Sequence, residues 1–284
     1  MQNLKSILYK KKEIFYVIIL FLFSVSVNQY YGNLGVCPID SFWFFNSGYD
    51  ALNGYYPFKD YWTIAGPFIT FFQAILFKIF GVSWFSYVFH ASIFNFLISI
   101  ATFYTLYKFR LNTHYCFLYA LLISVIAYPS AGTPYVDHHA SILSIISLLF
   151  FILAIKTNSR GFWFFIPIIL VISFLTKQTP TGYIFLVIVV LSSIYFIINF
   201  DIKKILAGIL GSLIIISFFF LILFLTKIPF ESFYEQYISF PLEIGKIRVE
   251  SFLFPLEFSR IFLRFKLIHI PLLIMIFISI QKVR

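Results

Sequence analysis

The chain has 284 residues, of which 61% are hydrophobic and 11% are charged, and its formal net charge is +10. Soluble domains carry about 25% charged residues and about 45–50% apolar ones. The composition excludes a disordered chain, a disulfide-stapled secreted domain and a water-soluble Rossmann or TIM-barrel enzyme, because only lipid can cover so much apolar surface. We therefore expect one all-α membrane domain over residues 1–284, built as a polytopic bundle of transmembrane helices.

The excess of basic residues is explained by membrane topology. In a soluble protein it would suggest nucleic acid, but here the Lys and Arg residues flank apolar runs, where anionic lipid headgroups attract them. No nucleic-acid partner is expected. The two cysteines, Cys37 and Cys116, predict neither a structural disulfide nor a cysteine-ligated metal.

The N-terminal segment predicts an uncleaved anchor helix. Several lysines precede the apolar run 14–27, as in a signal peptide, but no convincing cleavage site precedes Asn28. Further apolar runs occupy 64–82, 84–107, 115–130, 139–155, 162–176, 182–200, 205–225 and 267–280. Several of them are shorter than the roughly 20 residues that cross a bilayer.

Short basic connectors predict which of these runs cross the membrane. By the positive-inside rule, the N-terminus and four connectors share the cytoplasmic side. These connectors are Lys108/Arg110, Lys156/Arg160, Lys203/Lys204 and Lys282/Arg284. Between residue 28, outside, and residue 108, inside, the number of crossings must be odd, so one of the two runs in that interval does not span.

The run 66–81 is the weaker of the two, because it is short, contains Gln73 and Lys78, and begins with a Gly-Pro pair that disfavours a helix. We predict that it is interfacial or re-entrant and that about eight other runs span. Both chain termini are then cytoplasmic.

This topology collects the acidic residues on the outer face. The outward segments carry every acid except Glu13 and Asp201. These segments are 28–63, 131–138, 177–181 and 226–266. A transporter would instead place ionisable groups near the bilayer midplane. The main polar residues within apolar runs are interpreted as partners in interhelical hydrogen bonds. They are Gln73, His90 and Asn95.

The first outer segment, 28–63, predicts an interfacial helix over 38–54. Four apolar residues share one helical face, namely Phe42, Phe45, Tyr49 and Leu52. Gly54 stands where a helix C-cap belongs. Asp40, at the start of the segment, is either an N-cap carboxylate or a functional acid. Asp60, in the aromatic turn that follows, is either a turn residue or a functional acid.

The last outer segment, 226–266, predicts a second interfacial helix. Pro229 stands near the helix start, and an aromatic stripe follows. The stripe consists of Phe230, Phe233, Tyr234 and Tyr237. The basic residues of this segment, including Arg248, contact lipid headgroups or form a cradle for a phosphate.

Residues around the first outer segment together resemble those of a known enzyme superfamily. They are Asp40, Asn53-Gly54, Pro57-Phe58-Lys59-Asp60, Gly66-Pro67 and Phe80-Gly81. The set is similar to the first outer loop of GT-C membrane glycosyltransferases, the relatives of protein O-mannosyltransferases and lipid A aminoarabinose transferases, in which G-x-x-P-[YF]-x-D follows an early Asp. Lys177-Gln178 resembles their t-K-Q signature, and Asp137 matches the acid of their second outer loop. The resemblance covers about residues 14–225.

The resemblance implies a multi-pass enzyme of the inner (plasma) membrane with an extracytoplasmic active site. It would move a sugar from a polyprenyl-phosphate carrier to a lipid, glycan or protein acceptor. Such enzymes often carry further C-terminal helices or a soluble domain, so we expect the acceptor-binding part to be reduced or missing, or the chain to be truncated. The alternative functions are a non-enzymatic lipid-sugar flippase or other transporter and, after it, a structural membrane subunit.

The chemistry of such a transfer suggests roles for the acids. A carboxylate must take the proton of the acceptor hydroxyl while cations hold the leaving phosphate. Asp40 is the base candidate by motif position, and Asp137 would orient the acceptor or bind a divalent cation. No cofactor is required by the sequence. A metal site from Asp137, His138 and His139 is weakly indicated, since adjacent side chains point apart.

The phosphate would be held by Lys177 or by Arg248, although a lysine at a helix end also snorkels to the interface without any further function. Three further residues are candidates for substrate contact. They are Asp60, Gln178 and His138.

Overall fold

The computed structural model describes residues 2–36, 38–128, 132–251, 263 and 266–283; the side chains of some of them, including Arg248, lie outside this description. The chain forms two compact units, Met1–Tyr237 and Ile238–Arg284. All the regular elements in the described ranges are helices. In the same ranges, one isolated β-bridge joins Pro57 and Tyr61. The predicted all-α class is confirmed.

The described residues of the first unit form ten α-helices. They are α1 (Gln2–Gly32), α2 (Pro38–Leu52), α3 (Pro67–Phe80), α4 (Trp84–Lys108), α5 (Thr113–Ile126), α6 (Val136–Thr157), α7 (Arg160–Phe174), α8 (Gln178–Ile198), α9 (Ile202–Thr226) and α10 (Phe230–Tyr234). A π-helical turn, Glu235–Ser239, follows α10. The second unit contains α11 (Phe240–Ser251) and α12 (Lys266–Val283). Residues 252–262 of the predicted outer segment 226–266 lie outside the described residues.

Among the described residues, five helices are long and apolar enough to cross a membrane. They are Lys12–Gly32 of α1 and the whole of α4, α6, α8 and α9. The chain is therefore a membrane protein with several candidate spans. Helices α3, α5 and α7 and the stretch Ile268–Ile278 of α12 are apolar but shorter, at 10–17 residues.

The basic connectors of the first unit meet at one end of the bundle, which we call the basic end. Lys12 Nζ donates to His114 Nε2 at 3.0 Å, which places the start of the α1 span beside the start of α5. Lys156 Nζ lies 5.1 Å from the ring centroid of Phe109, which joins the end of α6 to the α4–α5 connector.

The opposite end of the first unit carries Asp40, Asp60 and Asp137 and is called the acidic end. Trp84 Nε1 donates to the carbonyl oxygen of Gly32 at 2.8 Å, so α4 begins where α1 ends. The basic connectors and the segments that carry Asp40, Asp60 and Asp137 therefore lie at opposite ends of the helices. This is the arrangement that the connector pattern predicted for this part of the chain.

Helix α3 begins and ends at the acidic end. Phe68 N donates to the carbonyl oxygen of Leu175, just after α7, at 3.1 Å. At its other terminus Phe77 packs on Phe45 of α2, with ring centroids 4.9 Å apart, and Gly81 follows in a left-handed conformation, φ +81°. Gly81 stands only three residues before α4 begins.

Helix α2 ends as its sequence predicts. Gly54 has φ +89°, and Tyr55 N donates to the carbonyl oxygen of Asp50 at 2.9 Å, which is the hydrogen bond of a Schellman motif. Two residues of the apolar stripe, Phe42 and Tyr49, are exposed. The buried side chains of the helix belong to a neighbouring face. They are Ser41, Phe44, Ser47 and Ala51.

A buried polar network joins α1, α4 and α5 below the acidic end. Asn95 Nδ2 donates to Asn28 Oδ1 at 2.7 Å and to the carbonyl oxygen of Ser124 at 2.8 Å. Ser99 Oγ and Ser124 Oγ are 2.6 Å apart. The interhelical hydrogen bonds predicted for Asn95 are confirmed, and they fix the register of three apolar helices in a medium without competing water.

Candidate functional site

Asp137 and Lys177 form an ion pair at the acidic end. Asp137 Oδ1 and Lys177 Nζ lie 2.5 Å apart, and their side chains are 45% and 34% exposed. Asp137 is in the first turn of α6, where the helix dipole favours a carboxylate, and Lys177 is the extended residue immediately before α8. The structure thus joins a predicted catalytic acid to a predicted phosphate ligand, 40 residues apart in the chain.

Gly66 sets the position of the backbone that leads to Lys177. A Cβ atom on Gly66 would lie 2.1 Å from the carbonyl oxygen of Leu175 and 2.3 Å from that of Thr176. Only glycine allows the start of α3 to approach this segment so closely. The Gly-Pro pair is therefore a packing element of the site.

We expect Gly66→Ala to lower the free energy of unfolding by about 1–3 kcal/mol, because the added methyl group must displace backbone atoms. Thermal unfolding in detergent measures this. Gly182→Ala, in the first turn of α8, is the matched control, since no heavy atom lies within 4 Å of the added Cβ. Equal unfolding temperatures for the two variants would contradict the steric argument.

Hydrogen bonds of Gln178 and Tyr237 connect the segment around Lys177 to the residues that follow α10. Gln178 Nε2 donates to the carbonyl oxygen of Tyr237, and Tyr237 Oη donates to the carbonyl oxygen of Phe174. Burial raises the pKa of the Tyr237 phenol, so it stays protonated as the donor. Gln178, predicted to contact substrate, is engaged with the backbone in this structure.

Asp60 closes a compact turn next to this contact. Its Oδ2 accepts from Tyr56 N at 2.7 Å, and Lys59 Nζ lies 3.8 Å away. Phe58, in the same turn, has φ +67° and is 2% exposed. Its ring lies 5.3 Å from that of Phe233. The turn role proposed for Asp60 is seen directly.

Gln236 ties this turn to the residues after α10. Its Nε2 donates to the carbonyl oxygen of Phe58 at 3.3 Å, and its Oε1 accepts from Thr63 N at 3.0 Å. The first outer segment and the beginning of the last one are therefore in contact at the acidic end.

Asp40 lies at the acidic end near the start of α6. Helix α2 begins at Pro38, so Asp40 is inside the first turn and the N-cap interpretation is wrong. Ser41 Oγ is 3.3 Å from Thr133 Oγ1, and the rings of Phe44 and Tyr135 are 6.1 Å apart, so this turn packs on the loop that leads to Asp137. Within the described ranges, no hydrogen bond or ion pair engages the Asp40 carboxylate.

A buried layer of histidines lies beneath the ion pair. His90 Nδ1 is 2.9 Å from Gln73 Oε1, as predicted for an interhelical pair. His139 Nδ1 is 2.7 Å from Tyr128 Oη and 2.9 Å from the carbonyl oxygen of Tyr135. The two imidazole rings are 4.7 Å apart. His139 thus turns into the bundle, away from Asp137.

His138, the second residue of the Asp-His-His run, is half-buried between two tyrosines. Its ring lies 5.2 Å from that of Tyr128 and 5.6 Å from that of Tyr135. Among the residues that the structure describes, no three His, Cys, Asp or Glu side chains form a group that could hold a metal ion.

The predicted residues therefore fall into three sets. Asp137, Lys177 and Gln178 adjoin one another, Asp40 and Asp60 lie at the same end, and the side chain of Arg248, in α11 of the second unit, lies outside the described residues. The sequence did not identify Gln236 as a site residue, and Tyr237 was predicted only as a member of the aromatic stripe of the last outer segment. The position of a polar glutamine beside that stripe is the one sequence feature that could have indicated its contacts.

Comparison with known proteins identifies no relative of the chain. No protein-family model, curated protein or solved structure matches the chain. A functional proposal therefore rests on the contacts of the chain's own residues.

Proposed function

We propose that the chain is a membrane glycosyltransferase that moves a sugar from a polyprenyl-phosphate carrier to a hydroxyl acceptor on the extracytoplasmic face. The observation that carries this proposal is the pairing of Asp137 with Lys177 at the end where the half-buried Asp40 has no described partner. Such a site offers a cation for the phosphate and a carboxylate for the proton of the acceptor.

In the proposed reaction, the acceptor oxygen attacks the anomeric carbon of the donor sugar. The bond from that carbon to the phosphate oxygen breaks, and polyprenyl phosphate leaves with the electron pair. The acceptor proton passes to the carboxylate of Asp40. Lys177 stabilises the charge that develops on the departing phosphate, and a charge-assisted hydrogen bond of this kind is stronger than a neutral one.

The location of the site supports the proposed topology of about eight spans. The basic connectors of the first unit meet at the basic end, and the paired acid lies at the opposite one. Helix α3 starts and finishes near the acidic end, as an interfacial or re-entrant helix does. By the positive-inside rule, the basic end faces the cytoplasm of the inner membrane and the acidic end faces outward.

Cysteine accessibility tests this topology. In a background with Cys37 and Cys116 replaced by serine, we expect Asn53→Cys to react with a membrane-impermeant maleimide on intact cells. Lys108→Cys should react only after the membrane is permeabilised. Labelling of both positions from the same side contradicts the scheme.

Sugar transfer itself is tested with the purified protein in detergent. A panel of polyprenyl-phosphate sugars labelled in the sugar is supplied, with water or an extract of membrane glycolipids as the acceptor. We expect label to leave the carrier lipid for one donor of the panel. Label that stays on the carrier for every donor, with protein that remains folded, contradicts an enzymatic function and favours a flippase.

A further inference from the structure

We propose that the donor phosphate and Asp137 compete for Lys177, so that arrival of the donor opens the ion pair and releases Asp137 to hold the acceptor. This inference rests on the proposed function, because it assigns the order in which the same site takes its two substrates. Asp137 is then a positioning residue for the acceptor hydroxyl, and the base remains Asp40.

The geometry places the two anions in competition. Lys177 Nζ sits 2.5 Å from Asp137 Oδ1, so one of its three N–H groups is engaged, and a phosphate that approaches the same ammonium group is repelled by the carboxylate. The backbone around Lys177 is held on two sides, by the close approach of Gly66 to Thr176 and by the hydrogen bond of Gln178 to Tyr237. The ammonium group can turn from one anion to another, but the segment that carries it is fixed.

The energies allow the exchange. Both side chains are more than one third exposed, and ion pairs of that kind contribute only about 0–1 kcal/mol. The donor is a phosphodiester whose one negative charge is shared by two free oxygens, so it matches the carboxylate as a partner for the ammonium group. The polyprenyl phosphate that departs is a monoester with a larger negative charge, and it is the stronger partner. Asp137 lies in the first turn of α6, where the helix dipole stabilises its negative charge after Lys177 turns away.

The segment that leads to Asp137 contacts the helix that carries Asp40. The first turn of α2, which contains Asp40, packs on the loop of Thr133 and Tyr135 that leads into α6. An acceptor hydroxyl held by Asp137 would therefore approach the Asp40 side of the site only after the donor is bound. Donor-first order protects the acceptor position from unproductive occupancy, since Asp137 is otherwise engaged.

A binding experiment without turnover tests the competition. The probe is a short-chain polyprenyl phosphate that carries no sugar, and its affinity is measured by thermal shift or calorimetry in detergent for the wild type and three variants. We expect Lys177→Ala to weaken binding about tenfold or more. Asp137→Asn should strengthen it about two- to fivefold, because the competing anion is removed.

The double variant separates competition from a general charge effect. If Asp137 acts through Lys177, the gain from Asp137→Asn disappears in the Lys177→Ala background. The proposed exchange is overturned if Asp137→Asn still increases affinity in the Lys177→Ala background. It is also overturned if the single variant Asp137→Asn binds the probe no more tightly than the wild type. Asp201→Asn is the matched acid control and should leave affinity unchanged, since Asp201 also faces a lysine, Lys204, at 3.5 Å but lies in a basic connector away from the site.

The binding cycle and the transfer assay fail separately. If Asp137 and Lys177 are coupled in binding but the protein transfers no sugar, the proposed enzymatic function is contradicted and the competition is supported. If the wild type transfers sugar but the double-variant comparison shows no coupling, the enzymatic function is supported and the competition is contradicted.

Discussion

Asp40→Asn is expected to lower turnover about a hundredfold or more while the protein still folds and inserts. The amide has the shape of the carboxylate but cannot take a proton from the acceptor hydroxyl. Asp40 is suited to this role because its carboxylate is engaged by no hydrogen bond or ion pair in the described part of the chain, whereas Asp137 is paired with Lys177. Initial rates of label transfer from saturating donor provide the measurement.

Asp50→Asn is the matched control for this substitution. Asp50 lies on the same helix, ten residues further on, and is also partly exposed. Its charge, second to burial, raises the pKa of the Tyr61 phenol, so its removal changes local electrostatics without touching the first turn of α2. We expect a nearly unchanged rate. Asp40→Asn activity close to the wild-type value would leave Asp40 as a residue that only favours the helix terminus.

Lys177→Ala is expected to reduce use of the donor about tenfold to a hundredfold, the effect of losing one hydrogen bond to a charged group. The loss appears in KM if the contact forms equally in the ground state, and in kcat if it tightens as the phosphate departs. Steady-state rates over a range of donor concentrations distinguish the two.

Lys59→Ala is the control for a lysine at the same end. Its side chain is 34% exposed, as is that of Lys177, and it also faces an aspartate. The donor kinetics of this variant should match the wild type. Unchanged kinetics in Lys177→Ala together with a strong defect in Arg248→Ala would move the phosphate site to the last outer segment and leave Lys177 as a snorkelling lysine.

Much of the helical framework can be predicted from the sequence because lipid imposes it. Five of the eight apolar runs predicted to span are candidate spans among the described residues, and Gly54 predicted the end of α2 because a left-handed residue is needed there. The sequence did not indicate which residues of α2 contact the protein. Phe42 and Tyr49 of its apolar stripe are exposed while small polar residues such as Ser41 and Ser47 pack inward, so hydrophobic periodicity alone does not identify the protein-facing side in a lipid environment.

The contacts of the site could be predicted only in part. Asp137 and Lys177 were each candidates, but their contact depends on how α6 packs beside α7 and α8, which no local pattern encodes. The link of Gln178 to Tyr237 depends on the π-helical turn after α10, a backbone form without a clear sequence signal. The sequence indicated that the side chains of the Asp-His-His run point apart, but it did not indicate the hydrogen bonds to Tyr128 and Tyr135 that direct His139 inward.

The most direct test of sugar transfer follows the carrier lipid itself. Purified wild-type protein is reconstituted into proteoliposomes with a polyprenyl-phosphate sugar, and both the free polyprenyl phosphate formed and the donor moved between leaflets are measured by mass spectrometry and by leaflet-specific labelling. The account predicts that free polyprenyl phosphate accumulates with the wild type and at about one hundredth of that rate with Asp40→Asn. Donor that crosses the bilayer with its sugar–phosphate bond intact, at equal rates in both proteins, would contradict it.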